Sequence, residues 1–367
     1  MNDCKVLFHI NSMGKGGAER VVSILSEYFA KDGYEVVVAT QWYAGEEYPL
    51  FSKVKRIHVG LSKKDEKKNR LYRAIKRATN FRKAVRKEKP DIVISFCNKA
   101  NFRSAYCMLG MKTPLLVSVR NDPKKDYAPY KRATKWMEKK AAGCVFQTPD
   151  ARDFFDPFFR EKSRIIFNPL SESCLNRGER VEKRDSRIVT VGRITVQKNQ
   201  LLLLRAFAKI HEKYPKMQLE IYGEDDGQGS KQKMEQFLDQ KGLKNKVHFM
   251  GQSSHVEKDI VNAALFVLSS DYEGMPNALI EAMALGLPVI STDCPCGGSG
   301  LLIEDGISGL LVPTGDEEKL AEAMESLLSD RERAERLGQE AGKVVEKVNP
   351  DKIYREWKEY VDELVQG

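Results

Sequence analysis

The sequence predicts an α/β protein made of two Rossmann-like halves, each a parallel sheet covered by helices on both faces. Three observations carry that expectation. Short apolar runs alternate with helical stretches along most of the chain, the pattern of strands buried on both sides. The alternation lapses in a polar, charged stretch at residues 171–186 and then restarts. A chain of 367 residues is also long enough for two cores. We therefore expect a first domain over residues 1–170, a linker over 171–186 and a second domain over 187–348. A last helix, at 349–367, is expected to pack back on the first domain.

The elements follow in order. Residues 6–11 read as a strand, followed by the loop Met13-Gly14-Lys15-Gly16-Gly17 and an amphipathic helix from Ala18 to about Lys31. Further strands are expected at 36–40, 91–95, 115–119, 144–147 and 164–167. In the second half, strands fall at 188–191, 218–222, 247–249, 265–268 and 288–291, with helices near 199–213, 231–241 and 277–285. Helices at 317–329, 331–347 and 350–365 form a tail. Such folds bind ligands at the carboxyl ends of their strands. The informative motifs fall there, after Val191, Tyr222, Phe249 and Ser269.

Composition narrows the class. Hydrophobic content of 41% and charged content of 31% are ordinary for a soluble enzyme. No apolar run approaches the roughly 20 residues that span a bilayer, and residues 6–10 are too short for a secretory leader. The seven cysteines are odd in number and scattered, which fits a reduced cytoplasm. Cys294-Pro295-Cys296 is not a C-x-x-C pair and reads as loop packing.

The net charge of +9 hides an asymmetry. Residues 1–168 carry 35 Lys and Arg against 18 Asp and Glu, net +17, whereas residues 169–367 carry 26 against 34, net −8. An anionic partner is expected for the first half. Two stretches concentrate the charge. In residues 63–89, Leu71, Ile75, Ala78 and Val85 recur at helical spacing among Lys and Arg, with Tyr72 and Phe81 beside them. In residues 124–140, Tyr127, Tyr130 and Trp136 are interleaved with basic residues from Lys124 to Lys140. Basic amphipathic helices seat proteins on anionic membrane surfaces; a solvated helix face is the plain alternative. Nucleic acid is not expected, because the acidic half would repel it.

Glu273 and Glu281 stand eight positions apart in DYEGMPNALIEAMALGLPVIS. Between them Pro276 can take a first helical position and Asn277 can cap, while Gly286 closes the helix. Glu273 then lies in the loop feeding the helix, and Glu281 one turn inside it. Free N–H groups at that start suit an anion, and two carboxylates beside them can accept hydroxyl protons. A pocket for a sugar joined to phosphate is one reading; a buried helix with two solvent-facing acids is the other. Arg193 and Lys198, in VGRITVQKN after a strand, are five apart and can grip a diphosphate, or lie on a surface helix entry. The loop MGKGGAER fits neither the G-x-G-x-x-G dinucleotide fingerprint nor the Walker pattern.

R-x4-K at Arg193 and Lys198, followed by E-x7-E at Glu273 and Glu281, resembles glycosyltransferase family 4, retaining enzymes of GT-B fold. The resemblance also takes in the NSMGKGGAER loop, the FNPL segment, the IYGE and FMGQ turns and the DGISGLLVP stretch, and so covers nearly the whole chain. EGMPNALIEAM is most similar to bacterial enzymes that build capsule, exopolysaccharide or lipid-linked glycans. GT-B enzymes place two Rossmann-like domains facing each other across a cleft.

The resemblance implies roles. Arg193 and Lys198 would contact the diphosphate of a UDP-sugar, with Gly192 at the turn before them, and stabilise the departing UDP. Glu281 would bind the ribose, and Glu273 the ring hydroxyls of the transferred sugar. Amides of Gly274, Met275, Pro276 and Asn277, with Leu279 behind them, would frame the sugar and distal phosphate. Gly223, Glu224, Gly251 and Gln252 would line the base and ribose pocket, and Gly16 and Gly17 would approach the phosphate from the first domain.

Many relatives carry a histidine where this chain has Arg120. Arg120 and Asn121 are then candidates for a phosphate or sugar hydroxyl and Asp122 for the acceptor pocket, against a surface Arg–Asp pair. No D-x-D triplet occurs, so no metal or other cofactor is expected. The implied activity is transfer of a hexose or N-acetylhexosamine from a UDP-sugar to a polyprenyl-diphosphate-linked or growing surface glycan, at the inner face of the plasma membrane. A UDP-N-acetylglucosamine 2-epimerase-like isomerase shares the two-domain shape, and a non-catalytic membrane scaffold is a third reading.

Overall fold

A computed structural model of the chain describes residues 4–175 and 184–367. It divides into two compact units, Met1–Pro169 with Asp351–Gly367, and Leu170–Pro350. Among the described residues each unit holds one wholly parallel sheet.

The first sheet has strands β1 (Lys5–Ile10), β2 (Glu35–Thr40), β3 (Lys55–His58), β4 (Ile92–Phe96), β5 (Leu115–Ser118), β6 (Gly143–Phe146) and β7 (Ser163–Ile165), in the order β3-β2-β1-β4-β5-β6-β7. The second has β8 (Arg187–Val191), β9 (Gln218–Tyr222), β10 (Val247–Gly251), β11 (Leu265–Leu268), β12 (Val289–Thr292) and β13 (Leu310–Val312), in the order β10-β9-β8-β11-β12-β13. In both, the opening strand lies between its successor on one side and a later strand on the other. The loops after β1 and β4, and those after β8 and β11, therefore part in opposite directions and leave a crevice. Open α/β sheets bind ligands at such a reversal.

The strands form where the sequence alternates least. VLFHI in β1 and VVVAT in β2 are buried on both faces, as strands roofed by helices must be. The helix Gly17–Lys31 turns Val21, Val22, Leu25 and Phe29 inward, a stripe at helical spacing. The final helix, Pro350–Gln366, completes the first unit's core. Its Trp357 is fully buried and stacks on Phe96 at 5.6 Å, and Ile353 and Val361 join the same cluster.

Several expectations need correction. Strands β3 and β13 were not expected; both are short edge strands, and β3 is only partly buried. Residues 63–89 form two helices, Lys63–Glu66 and Arg70–Glu88, because Asn69 starts a new one by accepting the Tyr72 N–H at 2.8 Å. Residues 331–347 likewise split into Arg331–Ala341 and Val344–Val348, at Gly342. The stretch expected as linker begins with a short helix, Glu172–Leu175; its residues 176–183 lie outside the described residues.

Candidate active site

The site in the second unit grows from the crevice between β8 and β11. At the end of β8, Gly192 N–H donates to the Tyr222 carbonyl at 2.8 Å, and Ile194 N–H to the Glu224 carbonyl at 2.8 Å. Gly223 has φ +142°, and a Cβ there would lie 2.1 Å from the Gly192 carbonyl oxygen. Only glycine lets the two strand ends meet backbone to backbone. Gly251 ends β10 with φ +69° and accepts the Gly223 N–H at 2.7 Å. Gln252 is half-buried, while Glu224 and Arg193 are exposed.

The loop from Arg193 to Asn199 is tied to the loop after β11 at four points. Asp271 N–H donates to the Gln197 carbonyl (2.9 Å), and the Gln197 side chain donates to the Tyr272 carbonyl (2.9 Å). Asn199 Nδ2 donates to Asp271 Oδ1 (2.7 Å), and Ser269 Oγ to the Lys198 carbonyl (3.1 Å). Asn199 also caps the helix Gln200–Ile210 from a left-handed conformation. This lacing brings Lys198 Nζ to 2.5 Å from Glu273 Oε1. Two residues 75 positions apart in sequence thus form one ion pair, because their strands are neighbours in the sheet.

Glu273 is 6% exposed and Glu281 5%, so neither is a solvent-facing acid. Glu273 is held through its backbone as well. Its N–H donates to the Pro295 carbonyl at 2.7 Å, and its carbonyl accepts the Cys296 N–H at 2.8 Å. The Cys294-Pro295-Cys296 segment is therefore packing for the Glu273 loop. Burial, with the Glu273 carboxylate nearby, pushes the Cys294 thiol up to about 12, so it stays protonated at neutral pH and is a poor nucleophile.

The helix Asn277–Ala284 follows, with one exchange of roles. Pro276 is the cap, in an extended conformation, and Asn277 is the first helical residue. The Pro276 carbonyl accepts from Leu279 and Ile280, each at 3.1 Å. Leu279 is thus fully buried with its N–H engaged. Gly286 closes the helix at φ +73°. Gly274, Met275 and Pro276 are buried beneath the next loop. A Cβ on Gly298 would lie 1.9 Å from the Gly274 carbonyl oxygen.

Sequence reasoning missed Ser270, Thr292 and Gly298. Ser270 Oγ donates to Glu273 Oε1 at 2.6 Å, and Thr292 Oγ1 to the Ser270 carbonyl at 2.6 Å. The signal available was small polar residues at the carboxyl ends of β11 and β12, where apolar runs stop.

The remaining candidates lie in the first unit. Gly16 caps the helix Gly17–Lys31 without a side chain. Arg120 is not half of a surface Arg–Asp pair. Its guanidinium donates to Asn168 Oδ1 and to Ser118 Oγ (3.3 Å) and lies 5.3 Å from the Phe96 ring. Burial pulls it down to about 10, still charged at neutral pH. Asp122 caps the helix Pro123–Asp126 by accepting the Lys124 N–H at 2.9 Å. The Asn121 side chain bonds Asp126, whose carboxyl is raised to about 6 by burial first and by Asp122 second.

Comparison with known proteins gives a consistent picture. Residues 15–172 match the family model described as Glycosyltransferase Family 4, and residues 175–344 the one described as Glycosyl transferases group 1. The chain is 32% identical over 256 residues to an uncharacterized glycosyltransferase of Methanocaldococcus jannaschii, a match spanning 63% of this chain and 62% of that protein. It is 26% identical over 361 residues, 98% of this chain and 99% of the relative, to a Campylobacter jejuni enzyme. That enzyme is named GalNAc-alpha-(1->4)-GalNAc-alpha-(1->3)-diNAcBac-PP-undecaprenol alpha-1,4-N-acetyl-D-galactosaminyltransferase. Among solved structures, Anabaena HepE in complex with UDP and glucose aligns over 98% of this chain and 99% of its own, with a TM-score of 0.83 at 17% identity. That likeness establishes the fold.

Proposed function

The chain belongs to glycosyltransferase family 4, with the GT-B fold, and from that premise we propose that it moves a hexose or N-acetylhexosamine from a UDP-sugar, with retained configuration, to a lipid-linked glycan. It is a glycosyltransferase of polysaccharide biosynthesis; the matched families are transferases, which sets the isomerase and scaffold readings aside. The observation that carries the finer reading is the Lys198–Glu273 pair at the sheet's reversal. A cation and a carboxylate in contact, both mostly buried, suit a ligand with a negative diphosphate at one end and hydroxyls at the other.

In this reading Lys198 and the exposed Arg193 neutralise the diphosphate and hold charge as UDP departs. Glu273 accepts hydroxyl protons of the sugar, fixes its orientation and favours positive charge at the ring. Glu281 meets the ribose. The departing phosphate takes the acceptor proton, so no protein base and no metal are needed. The Campylobacter relative's name supports an acceptor on undecaprenyl diphosphate, and the HepE complexes support UDP as the nucleotide. Exposed Tyr106 stacks on Trp136 at 5.7 Å, and Trp136 shares a surface hollow with Lys131, Arg132 and Lys139, a basic, aromatic face on the first unit. It would seat the enzyme on the inner leaflet beside such an acceptor.

The test has two steps. A nucleotide-sugar panel read by thermal shift identifies the donor, since a ligand at 100 times its Kd stabilises by about 2.7 kcal/mol. UDP release with a polyprenyl-diphosphate glycan is then compared in wild type and Glu273→Gln, with chelator present. Glu273→Gln is expected to lose at least about 100-fold in turnover while binding UDP as wild type. Unchanged turnover, an inverted product, or activity abolished by chelator and restored by a divalent ion would overturn the reading.

A further inference from the structure

We propose that Ser270 is a positioning residue for the transfer: it fixes the Glu273 carboxylate so that one oxygen belongs to the protein and the other to the sugar. The inference rests on Glu273 being the sugar contact. Glu273 Oε1 receives two donors, Lys198 Nζ at 2.5 Å and Ser270 Oγ at 2.6 Å. No described residue bonds Oε2, although Glu273 is 6% exposed. A carboxylate offers about four lone-pair directions. With Oε1 bonded to two groups of its own chain, the accepting capacity left for hydroxyls sits on Oε2.

Ser270 suits this task because it is immobile. It is fully buried, and its carbonyl is anchored by Thr292 Oγ1 at 2.6 Å. Its neighbour Asp271 is laced to Gln197 and Asn199. The Ser270 hydroxyl is thus a fixed donor, whereas the Lys198 ammonium sits on a flexible four-carbon stem. A donor diphosphate would compete for Lys198 when it binds. Ser270 would then hold Oε1 alone and keep the carboxylate from rotating as the sugar moves toward the transition state. Its contribution would fall on turnover rather than on nucleotide binding, since its hydroxyl is already engaged by Glu273 Oε1 and acts only through that carboxylate.

Ser270→Ala removes the hydroxyl and leaves the Thr292 bond to its carbonyl in place. The measurement is kcat and KM for the donor found by the panel, with UDP affinity by calorimetry, in four proteins: wild type, Ser270→Ala, Glu273→Gln and the double variant. The expected result is a 10- to 100-fold loss of kcat in Ser270→Ala, about what a small misplacement costs, with KM and UDP affinity within about twofold. On the Glu273→Gln background the same change should cost less than about twofold, because the residue it positions has already lost its charge. The proposal is overturned if Ser270→Ala keeps wild-type kcat, if UDP affinity falls in step with kcat, or if the loss is equally large on both backgrounds. Wild-type turnover in Glu273→Gln would instead sink the assignment of Glu273, so the two failures are told apart.

Discussion

Close contacts between backbones decide this site at the scale of single residues. Gly298 presses on the Gly274 carbonyl and Gly223 on the Gly192 carbonyl, and no neighbouring side chain can yield to relieve a clash of main chain with Cβ. Gly298→Ala should therefore displace the Gly274–Asn277 turn. The expected cost is about 1–3 kcal/mol in urea unfolding, the range for overpacking a tight interior, together with weaker UDP-sugar binding. Wild-type stability and affinity would show that the loop has slack. None of this was legible beforehand. Glu273, Glu281 and Lys198 stand out as charges beside apolar runs, but the residues that orient them do not. Ser270 and Thr292 are small and uncharged; Ser270 acts through the turn of its own loop toward Glu273, and Thr292 through the pairing of β11 with β12.

The elements themselves were mostly legible. Val- and Ile-rich runs marked the interior strands, since strands buried on both faces have little room for polar residues. Two edge strands, β3 and β13, escaped. Lys55–His58 is polar and partly exposed, so neither alternation nor a continuous apolar run betrays it. The break between Lys63–Glu66 and Arg70–Glu88 had a readable signal in Asn69, a good cap, which the strong basic periodicity masked. The apolar stripe there is also divided. Leu71 and Ile75 are exposed while Phe81 and Val85 are buried, so only the first half of the helix has a free apolar face. The last helix matters most for stability. Trp357→Ala should cost the first unit about 3–5 kcal/mol, seen as a lower urea midpoint with an unchanged slope. A cost below 1 kcal/mol would mean that this helix is dispensable to the core.

For the molecule as a whole, charge is the property that composition alone reveals. The surplus of +17 in residues 1–168 predicts binding to phosphatidylserine-containing vesicles at low salt, to be checked by cosedimentation. Binding should disappear near 0.5 M salt, where the screening length drops to a few ångströms. Neutralising Lys131, Arg132 and Lys139 together should weaken cosedimentation by about 1 kcal/mol for each charge removed. Equal binding to neutral vesicles, or binding indifferent to salt, would refute an electrostatic seat. The sequence determined by itself that there are two α/β units, that the first is basic, and which four charged residues carry the resemblance to glycosyltransferases, because hydrophobic periodicity, charge and motif spacing are local properties. Only the tertiary structure decided that Lys198 pairs with Glu273, that Pro276 and not Asn277 caps the following helix, and that Ser270 shares the same carboxylate oxygen. The first depends on β8 lying beside β11 in the sheet, a neighbourhood carried by no single stretch of chain, and the other two on the backbone path of the loop after β11, which is held from outside by the loops after β8 and β12.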